Sequence, residues 1–385
     1  MFAHLHCHTV ASFSDSTLRI EEAVKKAASD GQKGLAITDH GLLSLPFKLI
    51  EECDSYGLIP AIGSEFYFVK NASETLRNSD NRRYHLVLLA KNKTGMDNLI
   101  KLINLSWKKY NFKDRRGLID WELLKRHKEG LVGLSGCYWN IIARTGIEEG
   151  KSRADAVLKK FVNILGEDFY CEVGRHGVDT EEKSNRILED LAARHNTKIV
   201  LTNDSHYLNP RDCIAHDCYI KSRFYQLSNF SYDGTGFHFR TEKEMKALGF
   251  PEEYLTNTVK VLEKCRASKK MFTSGGKVPD DFNPKRVKKL INTGRAAYLP
   301  KIVKVQESRA RWICEKLGRS VDLSLKLKGL WREFVPDTTK LAVSCRPDLE
   351  KITPLMYSNR KRFCQCTEQE LLNQGITIVG LPPGQ

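Results

Sequence analysis

Seven short apolar runs recur through the first two-thirds of this 385-residue chain, separated by polar stretches of helical periodicity. The runs lie at residues 3–6, 34–38, 58–62, 85–90, 130–134, 169–173 and 198–202. Each is short enough for a strand and too short for a buried helix. Between them, 20–29, 95–110, 154–165 and 181–195 repeat apolar side chains at three- and four-residue intervals, the pattern of helices that cover a sheet. Thr17 is placed to cap the first of these. Strands and helices in alternation predict an α/β fold with a parallel sheet. Seven such units suit a closed barrel. Residues 214–222 and 252–265 read as purely helical. No internal sequence repeat accompanies the alternation.

Polar residues of one chemical kind sit at the ends of these runs. His6 and His8 follow the first, in HLHCHT, and Asp15 comes in the next loop. Residues two apart on an extended chain point the same way, so both imidazoles can face one ion. Asp39 and His40 follow the second run in ITDHG, and Glu65 follows the third in IGSEFYF. His85 opens the fourth in YHLVLLAKN, and Cys137 follows the fifth in GLSGC. Glu172 and His176 end the sixth in YCEVGRHG, and Asp204 and His206 follow the seventh in LTNDSHY. Parallel barrels gather their sites at the carboxyl ends of strands. A lone histidine at a strand end is more often a hydrogen-bonded structural residue than a ligand. Recurrence of H-x-H and D-x-H pairs with further ligand types in matching positions favours a metal cluster. His4 shares the parity of His6 and His8 but lies earlier in its run, and reads as structural. Imidazoles with carboxylates suit Zn²⁺, Mn²⁺ or Fe²⁺ rather than Ca²⁺.

At these residues the chain resembles a known family. HLHCHTVASFSD, ITDHG, GSEFYF, YHLVLLAKN, GLSGC and LTNDSHY look like the successive motifs of the polymerase and histidinol phosphatase (PHP) domain. The chain resembles in particular the version in bacterial DNA polymerase III alpha subunits. The likeness continues through FHFRTEKEMKALGFPEEYLTNTVKVLEKC and covers residues 1–268. It implies a distorted TIM-like (β/α)7 barrel that holds three divalent ions. Its nine ligands fall on His6, His8, Asp15, His40, Glu65, His85, Cys137, Asp204 and His206. By the same likeness His6, His8, Glu65 and Asp204 hold one ion. Glu65 bridges to a second with His85 and Cys137, and Asp15, His40 and His206 hold the third.

Neighbouring divalent ions lower the pKa of bound water and neutralise phosphate oxygens, so phosphate-ester hydrolysis is the expected chemistry. Catalysis would run through His6, His8, Glu65, Asp204 and His206 by way of the ions they hold. Asp39 and His176 are candidates to orient ligands or move protons, with a purely structural Asp39 as the alternative. Arg175 could bind a phosphate or form a surface ion pair. No Ser-His-Asp or Cys-His arrangement suggests a protein nucleophile.

The last third differs. Residues 1–268 hold 39 Lys+Arg against 36 Asp+Glu, whereas 269–385 hold 23 against 11. The excess positive charge therefore lies in the last third, as expected of a surface that meets nucleic acid; a solvated basic surface is the plainer alternative. Residues 266–284 have linker composition, so the expected division is 1–268, a linker at 269–285 and a small basic, mainly helical region at 286–385. Trp312 and Trp331 could stack on bases or form a small core. Cys345, Cys364 and Cys366 lack zinc spacing. The region shows no polymerase-type acidic motif, so polymerisation by this chain alone is not expected. No apolar run approaches the roughly 18 residues of a membrane helix. The opening residues do not read as a signal peptide, and the eleven scattered cysteines read as reduced thiols of a cytoplasmic protein.

Three functions fit. One is a 3′–5′ exonuclease acting on DNA in replication or proofreading. Another is a small-molecule phosphatase of the histidinol phosphate or pyrophosphate kind. The third is a non-catalytic, metal-stabilised module that serves replicative polymerase subunits. Nine filled ligand positions favour activity, and the basic third favours DNA over a small substrate.

Overall fold

The computed structural model describes residues 1–272, apart from 13–14, 44, 74–81, 108–111, 114–115, 214–215, 217–219 and 221–233. The basic last third and most of the helix expected at 214–222 lie outside the described residues.

Eight strands, β1 (Gly34–Ile37), β2 (Ile59–Phe68), β3 (Tyr84–Ala90), β4 (Phe112–Lys113), β5 (Arg116–Ile119), β6 (Leu131–Leu134), β7 (Phe169–Val173) and β8 (Lys198–Leu201), form one sheet. Its order is β4-β5-β2-β3-β6-β7-β8, with β1 on β2. Residues 3–8 bridge β1 and the segment that follows β8. Ala36 N–H donates to the His4 carbonyl at 2.7 Å, beside β1, while Ser205 N–H, past β8, donates to the His6 carbonyl at 3.1 Å. The sheet is mixed rather than wholly parallel, because β3 runs antiparallel to both β2 and β6. The β4–β5 hairpin is a further departure from the expected alternation.

Helices α1 (Ile20–Ser29), α2 (Pro46–Tyr56), α3 (Lys93–Ser106), α4 (Trp121–Arg126), α5 (Ile141–Glu148), α6 (Lys151–Leu165) and α7 (Glu181–His195) follow the strands, with α8 (Glu242–Lys246) and α9 (Glu252–Lys264) at the end. In α1 the buried residues are Ile20, Ala23, Val24 and Ala27, one apolar stripe at helical spacing. Thr17 does not cap it. Arg19 occupies that position without a side-chain cap, and Thr17 N–H donates to the His206 carbonyl at 2.9 Å instead.

Strand parity divides the core. Ala36, Ala61, Val87, Leu89, Val132, Leu134, Tyr170 and Val200 share one cluster with Val259, Val261 and Leu262 of α9. Their neighbours Leu35, Ile37, Leu86, Leu88, Phe169, Cys171, Ile199 and Leu201 pack with the other helices. Each full apolar burial contributes about 1.5–3 kcal/mol. Glu65, His85 and Glu172 share the parity of the first cluster, so the polar site continues that inner face. In residues 3–8 the parity slips: Leu5 belongs to the inner cluster, Cys7 to the outer. This slip separates His4 from His6 and His8. The His4 ring packs on Phe239 at a centroid distance of 3.8 Å, and its Nε2 donates to the Arg240 carbonyl at 2.8 Å.

Residues 266–272 open the stretch of linker composition yet pack on this unit. Ala267 N–H donates to the Pro60 carbonyl at 2.8 Å, Met271 is buried, and Phe272 meets Phe47 at a centroid distance of 4.8 Å.

Candidate metal centre

Glu65 stands at the middle of the polar cluster. Its Oε1 lies 2.8 Å from His85 Nδ1 and 3.3 Å from His6 Nε2; its Oε2 lies 2.8 Å from His40 Nδ1 and 3.4 Å from His8 Nε2. Asp204 Oδ1 is 3.3 Å from His6 Nε2 and 3.2 Å from His8 Nε2, and the two ring nitrogens are 3.1 Å apart. Cys137 Sγ approaches His85 Nδ1 at 3.3 Å. Asp15 Oδ2 lies 2.7 Å from His40 Nε2 and 3.3 Å from His206 Nε2. All nine expected ligand positions therefore meet in one place. The reversal of β3 accounts for His85, which opens its strand instead of following it. An antiparallel strand brings its amino end to the rim where its neighbours end.

Donor spacing tests whether cations fit. Three sets have mutually close ligand atoms: His6, His8 and Asp204; Glu65, His85 and Cys137; and His8, Asp15, His40 and His206. His8 thus approaches two sets. A tetrahedral shell with bonds of about 2.0–2.1 Å has edges of roughly 3.3 Å, close to the 3.1, 3.2 and 3.3 Å that separate His6, His8 and Asp204. Both Glu65 oxygens, Asp204 Oδ1 and His40 Nδ1 are buried without a hydrogen bond of acceptable geometry. Their neighbours are near enough but out of line, as lone pairs that converge on a common point would be. Buried carboxylates without such partners are costly, so the residues present fit divalent cations.

A supporting layer holds these groups. Glu172 Oε1 accepts from His6 Nδ1 at 2.6 Å and from the Thr202 hydroxyl at 2.6 Å, while its Oε2 accepts from Gly136 N–H at 3.1 Å. Gly136 has φ +95°, and a Cβ there would lie 2.5 Å from the His85 carbonyl oxygen, so only glycine suits this turn. Asp39 accepts from Thr9 N–H at 2.7 Å and from the Ser12 hydroxyl at 2.6 Å; Ser12 Oγ in turn meets His8 Nδ1 at 3.2 Å. Asp39 therefore orients His8 through Ser12. His176 Nε2 donates to the Asn203 carbonyl at 2.7 Å, and its Nδ1 faces Glu181. Its ring nitrogens are committed to bracing the turn that carries Asp204, which adopts the left-handed φ of 40°. His206 Nδ1 donates to the Asp204 carbonyl at 2.7 Å, which leaves Nε2 for the cluster. The sequence placed Glu172 at a strand end without a role. Its signal is a buried carboxylate on the strand face that carries the ligands.

Electrostatics agree with this arrangement. Burial opposes protonation of His6, but Asp204, Glu172 and Glu65 outweigh it and hold its pKa well above the ordinary value. Burial likewise raises Glu65, and His85, His6 and His40 more than reverse this. Burial also raises Asp204, and His6 and His206 reverse that. Burial, with the nearby His40 and His206, pushes His8 down to about 3, so its imidazole stays neutral with a lone pair to offer. Burial and the Asp204 and Glu65 carboxylates push the Cys137 thiol well up. A coordinating cation is what would ionise it.

Arg175 does not join the cluster. It pairs with Glu182 at 2.5 Å, donates to the Leu248 carbonyl and lies over the Phe250 ring at 4.7 Å. The six described cysteines are free thiols, and among them only Cys137 enters the site. Among the described residues no helix is long and apolar enough to cross a membrane.

Residues 4–176 match the PHP domain. DNA polymerase III subunit alpha of Aquifex aeolicus is 34% identical over 291 residues, which cover 70% of this chain and 25% of that protein. The Thermus aquaticus subunit is 30% identical over 278 residues, covering 69% and 22%. The chain thus spans about a quarter of the length of these relatives. A solved protein from Bifidobacterium adolescentis, described as a metal-dependent phosphoesterase, covers 53% of this chain and 87% of its own at 16% identity, with a TM-score of 0.38. The chain carries a PHP domain, related to that of DNA polymerase III alpha subunits.

Proposed function

We propose that this protein is a metal-dependent phosphoesterase that removes nucleotides from a DNA end, with 3′–5′ polarity, in replication or proofreading. The convergence of nine ligand-type side chains around Glu65 carries this reading. His6, His8, Glu65 and Asp204 would hold one ion. Glu65, His85 and Cys137 would hold a second, and Asp15, His40 and His206 a third, with His8 near enough to serve either the first or the third. Zn²⁺, Mn²⁺ or Fe²⁺ suits this mixture of imidazole and carboxylate. Such ions, when bound, acidify water and neutralise the charge that builds on a phosphate during displacement.

The protein's own part is positional. Glu172 fixes the His6 ring, Asp39 fixes His8 through Ser12, and His176 braces the Asp204 turn. No residue need act as a covalent nucleophile. We read the curled sheet, tied by residues 3–8, as the distorted barrel that presents these groups on one rim. The basic excess of residues 269–385 supports a polyanionic substrate over a small phosphate ester. Relatedness to polymerase alpha subunits supports a place beside a replicative polymerase, with residues 1–268 as the metal domain and 286–385 as a separate basic region.

The test is direct. Pure protein of measured metal content is incubated with Mn²⁺ and end-labelled single- and double-stranded DNA, beside p-nitrophenyl phosphate. Shortening of DNA from the 3′ end, abolished by chelation, is expected. Metal-loaded protein that cleaves only p-nitrophenyl phosphate would make it a small-molecule phosphatase. Cleavage of neither substrate would leave a metal-stabilised module.

A further inference from the structure

The cluster is unevenly exposed. Side chains of His6, His8 and Glu65 are 0–1% exposed, whereas those of His40 and His85 keep 17% and 19%. The His40 and His85 side is thus the most exposed part of the cluster. Trp139 stands on that rim. Its carbonyl accepts the His85 N–H at 3.2 Å, it follows Cys137 by two residues, and it is 45% exposed.

This exposure belongs to a fixed turn. Asn140 N–H donates to the Cys137 carbonyl at 2.9 Å, and the Asn140 amide donates to the same carbonyl at 2.7 Å. Asn140 Oδ1 also accepts from Ala143 N–H at 2.8 Å and so caps α5. An indole held half in water forgoes the burial free energy that a large aromatic would otherwise contribute. A cation lies against it: the Arg144 guanidinium is 4.9 Å from the ring centroid, held by Glu148 at 2.6 Å. Arg82 joins Glu148 at 3.4 Å.

We propose that Trp139 is a stacking platform for a nucleobase, which seats the unpaired end of a DNA strand so that its phosphodiester reaches the His40–His85 side of the cluster. Arg144 braces the ring, and the base takes the ring surface that is left exposed. Stacking on an aromatic accepts any base, because every base offers a π-face, and it requires an unpaired end, because bases within a duplex are already stacked. The assignment of substrate rests on the phosphoesterase reading; the stacking itself can be measured without it.

The experiment is a binding cycle on the full chain. Anisotropy titrations compare a labelled oligonucleotide whose terminal residues carry bases with one whose terminal residues are abasic. Phosphorothioate linkages keep both strands intact. Wild-type protein should prefer the base-bearing end by at least roughly fivefold, the low end of base–aromatic stacking. Trp139→Ala should bind both ends alike, and Trp139→Tyr should retain part of the preference. Because the charge is equal in both strands, binding by the basic third cancels from the ratio. Equal ratios for wild type and Trp139→Ala, or no preference in the wild type, would overturn the proposal. Hydrolysis by the wild type is scored separately, so a failed phosphoesterase reading and a failed platform give different results.

Discussion

His6 donates from Nδ1 to Glu172 Oε1 at 2.6 Å, while its opposite ring nitrogen lies 3.3 Å from both Glu65 and Asp204. Glu172 also takes the Thr202 hydroxyl and the Gly136 amide, so its carboxylate cannot swing and the His6 ring cannot turn. Glu172→Gln keeps the shape but puts an amide where both oxygens accept, so one of these bonds is lost. Affinity for the ion beside His6 should fall by roughly 10–100-fold, the usual effect of losing such support. Metal analysis after dialysis against graded chelator checks this. Unchanged retention would mean that the ring is held by other means.

Asp204 offers a cleaner test of charge. Its φ of 40° is one that asparagine also tolerates, whereas alanine there would add backbone strain. Asp204→Asn therefore removes the negative charge with little change in the turn. Phosphoester hydrolysis should drop at least roughly tenfold while the circular dichroism spectrum stays the same. Full activity in a metal-controlled preparation would assign the hydrolysis to another site.

Much of the site was legible because ligand chemistry and strand parity are both written locally. His6 and His8 two residues apart, and Asp204 and His206 likewise, announce their shared direction in the sequence. The reversal of β3 was not legible, since alternation of apolar residues is the same read in either direction. Nor did parity alone separate His4 from His6, because the slip between Leu5 and Cys7 depends on pairing with β1 and Ser205. Linker composition at 266–284 concealed Met271 and Phe272, two apolar residues whose partners lie far away in sequence. Arg175 carries a charge that suits phosphate, and only the fold shows it committed to Glu182.

The buried His4 gives a pH dependence of known sign. Burial pushes its pKa from 6.5 down to about 3. Below about pH 6.5 the unfolded chain takes a proton there that the folded chain refuses, so this group costs stability as pH falls from 6.5 toward 3. At pH 5 the loss is about 2 kcal/mol, at 1.36 kcal/mol per unit. His4→Gln keeps a donor for the Arg240 carbonyl and does not titrate. Urea unfolding at pH 7 and pH 5 should show the variant losing less stability than the wild type across that interval. Parallel losses in the two proteins would rule out a neutral, buried His4.

Two truncations separate packing from charge at the end of the described chain. Removal of residues 275–385 takes away most of the basic excess and leaves Arg266 paired with Ala61, Met271 buried and Phe272 against Phe47. Removal of 269–385 also strips Met271 and Phe272, and should cost about 2 kcal/mol of stability beyond the first cut. The two proteins should differ in thermal midpoint but little in DNA affinity. Both should bind DNA more weakly than the full chain. The log–log slope of affinity against salt should flatten by about one unit for each phosphate that the shortened protein no longer neutralises. If the last third is instead a docking surface for a partner protein, the full chain will bind DNA weakly from the start and truncation will leave the slope alone. Titrations at two salt concentrations on all three proteins distinguish these outcomes. Equal slopes would remove nucleic acid as the partner of the basic third without touching the metal site.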